Sequence, residues 1–168
     1  MTQDRLGTQN PQFSDVPIWQ RSPVIRWSQI MAANYQRLLG KELMPADTPE
    51  QLAEALFHAP FVLVSHGTQG EPIFNYGNQT ALRLWALSWS QFVRTPSAAS
   101  AEPVARAERA TMLEQARQQG YVENYQGIRI SSQGQRFVIK QVTLWNLIDE
   151  SGQKCGQAAT YPQWEWLN

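Results

Sequence analysis

A chain of 168 residues is long enough for one well-filled core, and its 14 basic and 14 acidic side chains cancel, so composition carries no signature of a nucleic-acid or anionic-membrane partner. No apolar run nears the ~20 residues of a bilayer span, and Met1 to Asp15 lacks the apolar stretch of a secretory signal, so a cytoplasmic protein is expected. The single cysteine, Cys155, excludes an internal disulfide.

Residues 1–20, rich in Gln, Asn, Asp and Pro, are expected to form a disordered lead. Ser22-Pro23 then marks a helix start, with Ser as N-cap and Pro in the first position. Val24, Trp27, Met31, Tyr35 and Leu38 follow helical spacing up to Gly40, which suits the stop. Thr48-Pro49-Glu50-Gln51 repeats the device for a shorter helix, ended by Pro60.

Phe61 to Ser65 and Pro72 to Tyr76 read as two strands of a hairpin around Gly67-Thr-Gln-Gly70. Alternation puts Phe74 and Tyr76 on one face, expected to be the concave one. Asn78 is placed to cap a helix over residues 79–86, and Ser88 with Gln91 opens another short helix. A small-residue loop (95–100) leads to a helix over residues 103–119. Arg106, Arg109 and Arg117 alternate there with Glu102, Glu108 and Glu114, which predicts a solvated face.

Three strands close the chain, at about 121–131, 136–147 and 154–161, with turns at Ser132-Gln-Gly134 and Asp149-Glu-Ser-Gly152. Strict alternation in the middle strand sets Phe137, Ile139, Gln141, Thr143 and Trp145 on one face and Val138, Val142 and Leu144 on the other. A strand apolar on both faces needs cover on both, which calls the two N-terminal helices into the same domain as the sheet.

The stretch Ile73-Phe-Asn-Tyr-Gly-Asn-Gln-Thr-Ala-Leu-Arg-Leu-Trp85 resembles the second strand and first helix of a PAS domain. Ile130-Ser-Ser-Gln-Gly-Gln-Arg-Phe-Val138 and Ile148-Asp-Glu-Ser-Gly-Gln153 resemble its closing hairpins. With Tyr35, Leu39-Gly40, Glu42-Leu43, Gln118-Gln-Gly-Tyr121 and Trp164-Glu-Trp166, the chain is more closely similar to the MEKHLA family, a PAS-like group. That group includes stand-alone bacterial, cyanobacterial and algal proteins and the C-terminal region of plant class III homeodomain–leucine zipper factors. The resemblance implies an α+β fold: a PAS-like five-stranded antiparallel sheet with short helices on one face and the two N-terminal helices on the other. Residues 21–59 would supply those helices and residues 60–168 the PAS-like core, in a single domain. It implies regulation or sensing and transfers no catalytic residue.

Chemistry finds little footing. A flavin photoadduct needs a cysteine on the helical side of the pocket, and Cys155 opens the final strand instead. Haem needs an axial ligand, but His58 and His66 sit at a helix end and a strand end, where capping and turn roles are ordinary. Neither haem nor flavin is supported, and two His and one Cys are too few for zinc. Ser65 and His66 are strand neighbours and should diverge. No catalytic residue is expected, and the chain is not read as an enzyme.

What remains is an aromatic pocket, expected from the seven Trp. Its candidate walls are Phe74, Tyr76, Trp85, Trp89, Phe92, Phe137 and Trp145, with Gln141 and Thr143 as polar contacts. The leading expectation is a sensory domain that binds a small apolar or aromatic molecule and signals through a partner protein. A ligand-free interaction module, dimerising through the helix at 23–39 or through the sheet's outer face, is the alternative. A small isomerase-type enzyme using Tyr76 and His66 is the weaker one.

Overall fold

The computed structural model describes residues 16–101 and 103–167. Most of the expected disordered lead (1–15) lies outside them, but its end forms a 3-10 turn, Ile18–Gln20, whose Trp19 ring meets Phe57 at 5.2 Å.

Helix α1 spans Ser22–Leu39 and ends at Gly40, whose φ of 73° is the left-handed stop that glycine tolerates. The N-cap is Arg21 rather than Ser22, with no side-chain capping bond, while Pro23 keeps its first-turn place. Helix α2 (Pro49–Phe57) is capped as expected, Thr48 accepting from the Gln51 backbone N–H. Strands β1 (Val62–His66) and β2 (Phe74–Gly77) form the hairpin. Helix α3 (Gln79–Trp85) is capped by Asn78, and α4 (Trp89–Phe92) by a complete capping box from Ser88 and Gln91. Helix α5 (Pro103–Gln119) leads into β3 (Tyr121–Ile130), β4 (Arg136–Ile148), β5 (Lys154–Tyr161) and β6 (Gln163–Trp166).

The sheet is antiparallel in the order β2-β1-β5-β4-β3, with β6 also paired to β4. The expected five strands become six for a simple reason. β5 pairs with β4 up to Thr143↔Thr160, and β6 resumes at Lys140↔Gln163. Three residues pass on each side, so the register is unchanged. β6 is the continuation of β5 beyond Pro162, which has no N–H to give the ladder.

Strict alternation fails at four places, one of them the extra residue Cys155 in β5, opposite the step from Leu147 to Ile148. In β2, Tyr76 pairs with Ser65 but Phe74 pairs with His66, so Asn75 is an extra residue and the two aromatic rings face opposite sides. In β3 and β4 the register shifts around Asn124 and Tyr125, where Asn124 and Gln141 take φ of 56° and 54°. The face that carries Phe137 and Ile139 therefore continues as Val142 and Leu144. Trp145 and Leu147 turn to the other side.

The sheet is thus sandwiched between two cores. On its outer face α1 and α2 cover Leu63, Tyr76, Trp145 and Leu147 with Met31, Tyr35 and Leu56. Pro23, Arg26, Gln29 and Gln36 remain exposed on the far side of α1. On the concave face α3, α4 and α5 cover Val64, Phe74, Phe137 and Val142 with Trp85, Phe92 and Ala116. No helix among the described residues is long and apolar enough to cross a membrane.

The link from α4 to α5 crosses the concave side. Pro96 bridges to Ile73 beside β2, and Ala101 bridges to Arg129 in β3, at the opposite edge. Five strands lying flat are about 19 Å wide, and five residues reach at most about 18 Å. Because this link also contains the 3-10 turn Ser97–Ser100, the sheet must curl until its two edges approach each other. That curl makes the enclosed site.

Candidate functional site

Between the concave face and its cover of α3, the 97–100 turn and α5 lies a cavity of about 50 Å³, room for about three to five water molecules. Val64 and Phe74 form one wall, and Ile139, Val142 and Leu144 another. The polar lining comprises His66, Trp85, Arg109, Tyr125, Arg129 and Tyr161, with Ser100 and Gln157.

Four of these side chains end in a buried polar atom that finds no partner among the described residues: His66 Nε2, Trp85 Nε1, Tyr125 Oη and Tyr161 Oη. Buried polar groups are ordinarily bonded, and each orphan costs stability. Four converging on one cavity make a set of bonds waiting for an occupant. Trp85, Tyr125 and Tyr161 are each 4 % exposed or less. Burial pushes the Tyr161 phenol above its ordinary pKa, which keeps its proton available for donation. His66 Nδ1 lies 2.8 Å from the Gly67 carbonyl, so that nitrogen carries the proton. Burial holds the imidazole below its ordinary pKa, leaving it neutral with the lone pair on Nε2.

Two guanidinium groups complete the lining. Arg129, in β3, is 7 % exposed and gives one N–H to the Ile128 carbonyl at 2.9 Å. Arg109 departs from the expectation of a solvated α5. Its Nη2 reaches in to donate to the buried Ser97 hydroxyl at 2.7 Å, and burial, reinforced by the nearby Arg129 charge, lowers its pKa to about 10. Arg117 stays outside as expected, paired with Glu114.

The expected pocket residues divide between the two faces. Phe74 and Trp85 line the cavity. Phe92 stacks on Phe74 at 4.4 Å and Phe137 meets Trp85 edge-on at 5.4 Å, so both support the walls from behind. Tyr76, Trp89 and Trp145 belong to the outer face. Tyr76 meets Trp89 edge-on at 5.7 Å, and Trp145 donates its indole N–H to the Met31 carbonyl at 3.0 Å. Gln141 and Thr143 border a shallow groove beside Tyr35 and Glu123, also outside the cavity. The bulges account for the displacement of Tyr76, Gln141, Thr143 and Trp145, whereas Trp89 opens α4 and turns outward to meet Tyr76. Ser65 and His66 do diverge: Ser65 accepts from the Trp27 indole on the outer side, while His66 faces the cavity. Cys155 packs on the outer cluster, away from the cavity.

Sequence reasoning missed Arg109, Tyr125, Arg129 and Tyr161. One signal was available: Arg129 stands between Ile128 and Ile130 in a strand, and a charge in an apolar run asks for a reason.

A family model, the MEKHLA domain, matches residues 25–166. The chain belongs to the MEKHLA family. No match was found among curated proteins. Solved structures similar to this MEKHLA chain are PAS and light–oxygen–voltage domains, which fixes the fold as PAS-like. A PAS domain of a protein from Colwellia psychrerythraea is 18% identical with a TM-score of 0.59, covering 68% of this chain and 94% of its own. A light–oxygen–voltage domain studied with a flavin analogue is 14% identical at 0.55, covering 70% and 84%. A PAS domain from a two-component sensor histidine kinase is 16% identical at 0.52, covering 68% and 91%. The MEKHLA chain thus has a PAS-like fold.

A flavin does not fit this cavity. About 50 Å³ is far below the roughly 300 Å³ at which pockets for drug-sized ligands begin, and the only cysteine lies on the far side of the sheet. No group of three metal-binding side chains occurs among the described residues.

Proposed function

We propose that this MEKHLA domain is a sensor that binds a small molecule in the cavity between the concave sheet and α5, and passes the change to a partner protein. The observation that carries the reading is the convergence of four orphaned buried polar atoms on one enclosed space. The outer core leaves one such atom, Tyr76 Oη, whereas the concave side gathers four around one space. The occupant expected from composition alone was apolar or aromatic, and the polar lining argues for one with hydrogen-bonding groups.

Transmission would run through α5 and the link before it. Arg109 ties α5 both to the cavity and to Ser97. α5 rests on the sheet through Met112, Leu113 and Ala116, with its other face polar. An occupant that favours one position of Arg109 therefore favours one seating of α5, which is a population shift rather than a new structure. The polar face of α5 is the surface a partner would read.

Native mass spectrometry of freshly purified protein tests the binding step. The expected result is a fraction carrying an excess mass that disappears on denaturation, or that appears after incubation with a small-metabolite extract. Protein that stays bare in both conditions would contradict the reading.

A further inference from the structure

We infer that the occupant of the cavity is a small carboxylate, held through its anionic end by Arg109 and Arg129 and through its carbon skeleton by the apolar walls. This inference rests on the cavity being a ligand site and adds the chemical class of the ligand.

Two guanidinium groups line the cavity, and no Asp or Glu does. Neither makes an ion pair with any of the described residues, whereas Arg26, Arg117 and Lys140 do so on the surface. Like charges brought together under cover repel, and each has lost water. A guanidinium's natural complement is a planar oxyanion accepting two parallel N–H bonds. The fold also makes room for this arrangement. A Cβ at Gly127 would lie 2.7 Å from Tyr125 Oη and 2.9 Å from Arg129 Nη1. Those two donors therefore share the space that a side chain would fill, and they converge because residue 127 has none.

The rest of the lining narrows the class. The Tyr125 and Tyr161 hydroxyls and the Trp85 N–H add neutral donors for the remaining oxygen lone pairs. Neutral His66 offers an acceptor, which suits a hydroxyl on the same ligand. Val64, Phe74, Ile139, Val142 and Leu144 surround the remainder. Inorganic phosphate or sulfate would leave those walls unused, and a hydrocarbon would leave the donors unpaired. A short carboxylic or hydroxycarboxylic acid uses both.

Isothermal titration of the full chain with acetate, butyrate and lactate, each against its amide, tests the class. The acids are expected to bind about ten- to a hundredfold more tightly than the amides. Arg109→Met and Arg129→Met should each lose a similar factor. Each removes a charge with no carboxylate partner at the loss of one hydrogen bond, to Ser97 or to the Ile128 carbonyl, so both variants should stay folded without ligand. Gly127→Ala, which keeps both charges but displaces Tyr125 and Arg129, should also weaken the acids. Amides that bind as well as acids, or arginine variants with unchanged affinity, would overturn the carboxylate while leaving the cavity a ligand site. A chain that binds none of the six probes yet retains a neutral molecule in native mass spectrometry would do the same. No binding together with a bare native mass would overturn the site itself.

Discussion

Asn78→Ala is expected to destabilise the fold by about 4 kcal/mol, near the upper limit for single substitutions. Asn78 is fully buried, and its amide joins four main-chain groups from three parts of the chain. Its Oδ1 accepts from Leu63 N at 3.2 Å and from Ala81 N at 3.1 Å. Its Nδ2 donates to Leu56 O at 3.1 Å and Phe61 O at 2.8 Å. One side chain thus caps α3, anchors the start of β1 and holds the end of α2 against both. An alanine leaves two donors, Leu63 N and Ala81 N, and one acceptor, Phe61 O, unpaired where water does not reach, while Leu56 O keeps a long bond from Ala59 N at 3.4 Å. Each unpaired group costs ~1–3 kcal/mol before relaxation. Urea unfolding followed by tryptophan fluorescence measures the loss. Asn78→Asp keeps both accepted bonds but sets a carboxylate against two carbonyl oxygens. Its folded-state pKa would be raised, so that variant should gain stability as pH falls, when the protonated acid can again donate. A loss under 1 kcal/mol for the alanine variant would show that the four bonds do not hold these elements together.

Trp145→Ala is expected to cost ~3–5 kcal/mol, the range for large aromatic truncations in a core. The ring is fully buried, meets Tyr35 edge-on at 4.9 Å and bonds the Met31 carbonyl. With the two hydrogen bonds between Asn34 and the Ile148 backbone, it is a contact through which β4 holds α1. Trp145→Phe keeps most of the buried area and loses one hydrogen bond, so about 1 kcal/mol is expected. The phenylalanine variant should bind ligand as wild type does, because the ring lies on the face opposite the cavity. Lost binding in a stably folded Trp145→Phe would place the site on the wrong side of the sheet.

Trp145 also shows where reading the sequence stops working. The order of helices and strands was legible because its signals are local: Pro23 and Gly40 bound α1, Asn78 and Ser88 cap α3 and α4, and glycines mark the last turns. The sandwich was legible from β4 being apolar on both faces. Facing was not legible beyond a bulge, since one extra residue reverses every side chain after it. Asn75 separates Phe74 from Tyr76, and the paired irregularity at Asn124 and Gln141 exchanges Trp145 for Val142 and Leu144. Neither Asn75 nor Gln141 is a glycine, so composition gave no warning. Arg109 was misjudged for a related reason. Helical spacing puts it on the same face as Met112, Leu113 and Ala116, but the alternation of Arg and Glu along α5 hid that. Only the curl of the sheet brings Ser97 and Arg129 to where that side chain meets them.

The indole N–H groups offer the most direct test of a ligand site on the concave face. Trp85 Nε1 is unpartnered in the cavity, whereas Trp145 Nε1 is bonded on the other side. In a ¹H–¹⁵N spectrum of the full chain, with the two signals identified by Trp85→Phe and Trp145→Phe, butyrate should move the Trp85 resonance saturably and leave Trp145 in place. A Trp85 signal that stays fixed while Trp145, Trp27 or Trp89 moves would put the ligand on the outer face and contradict the account.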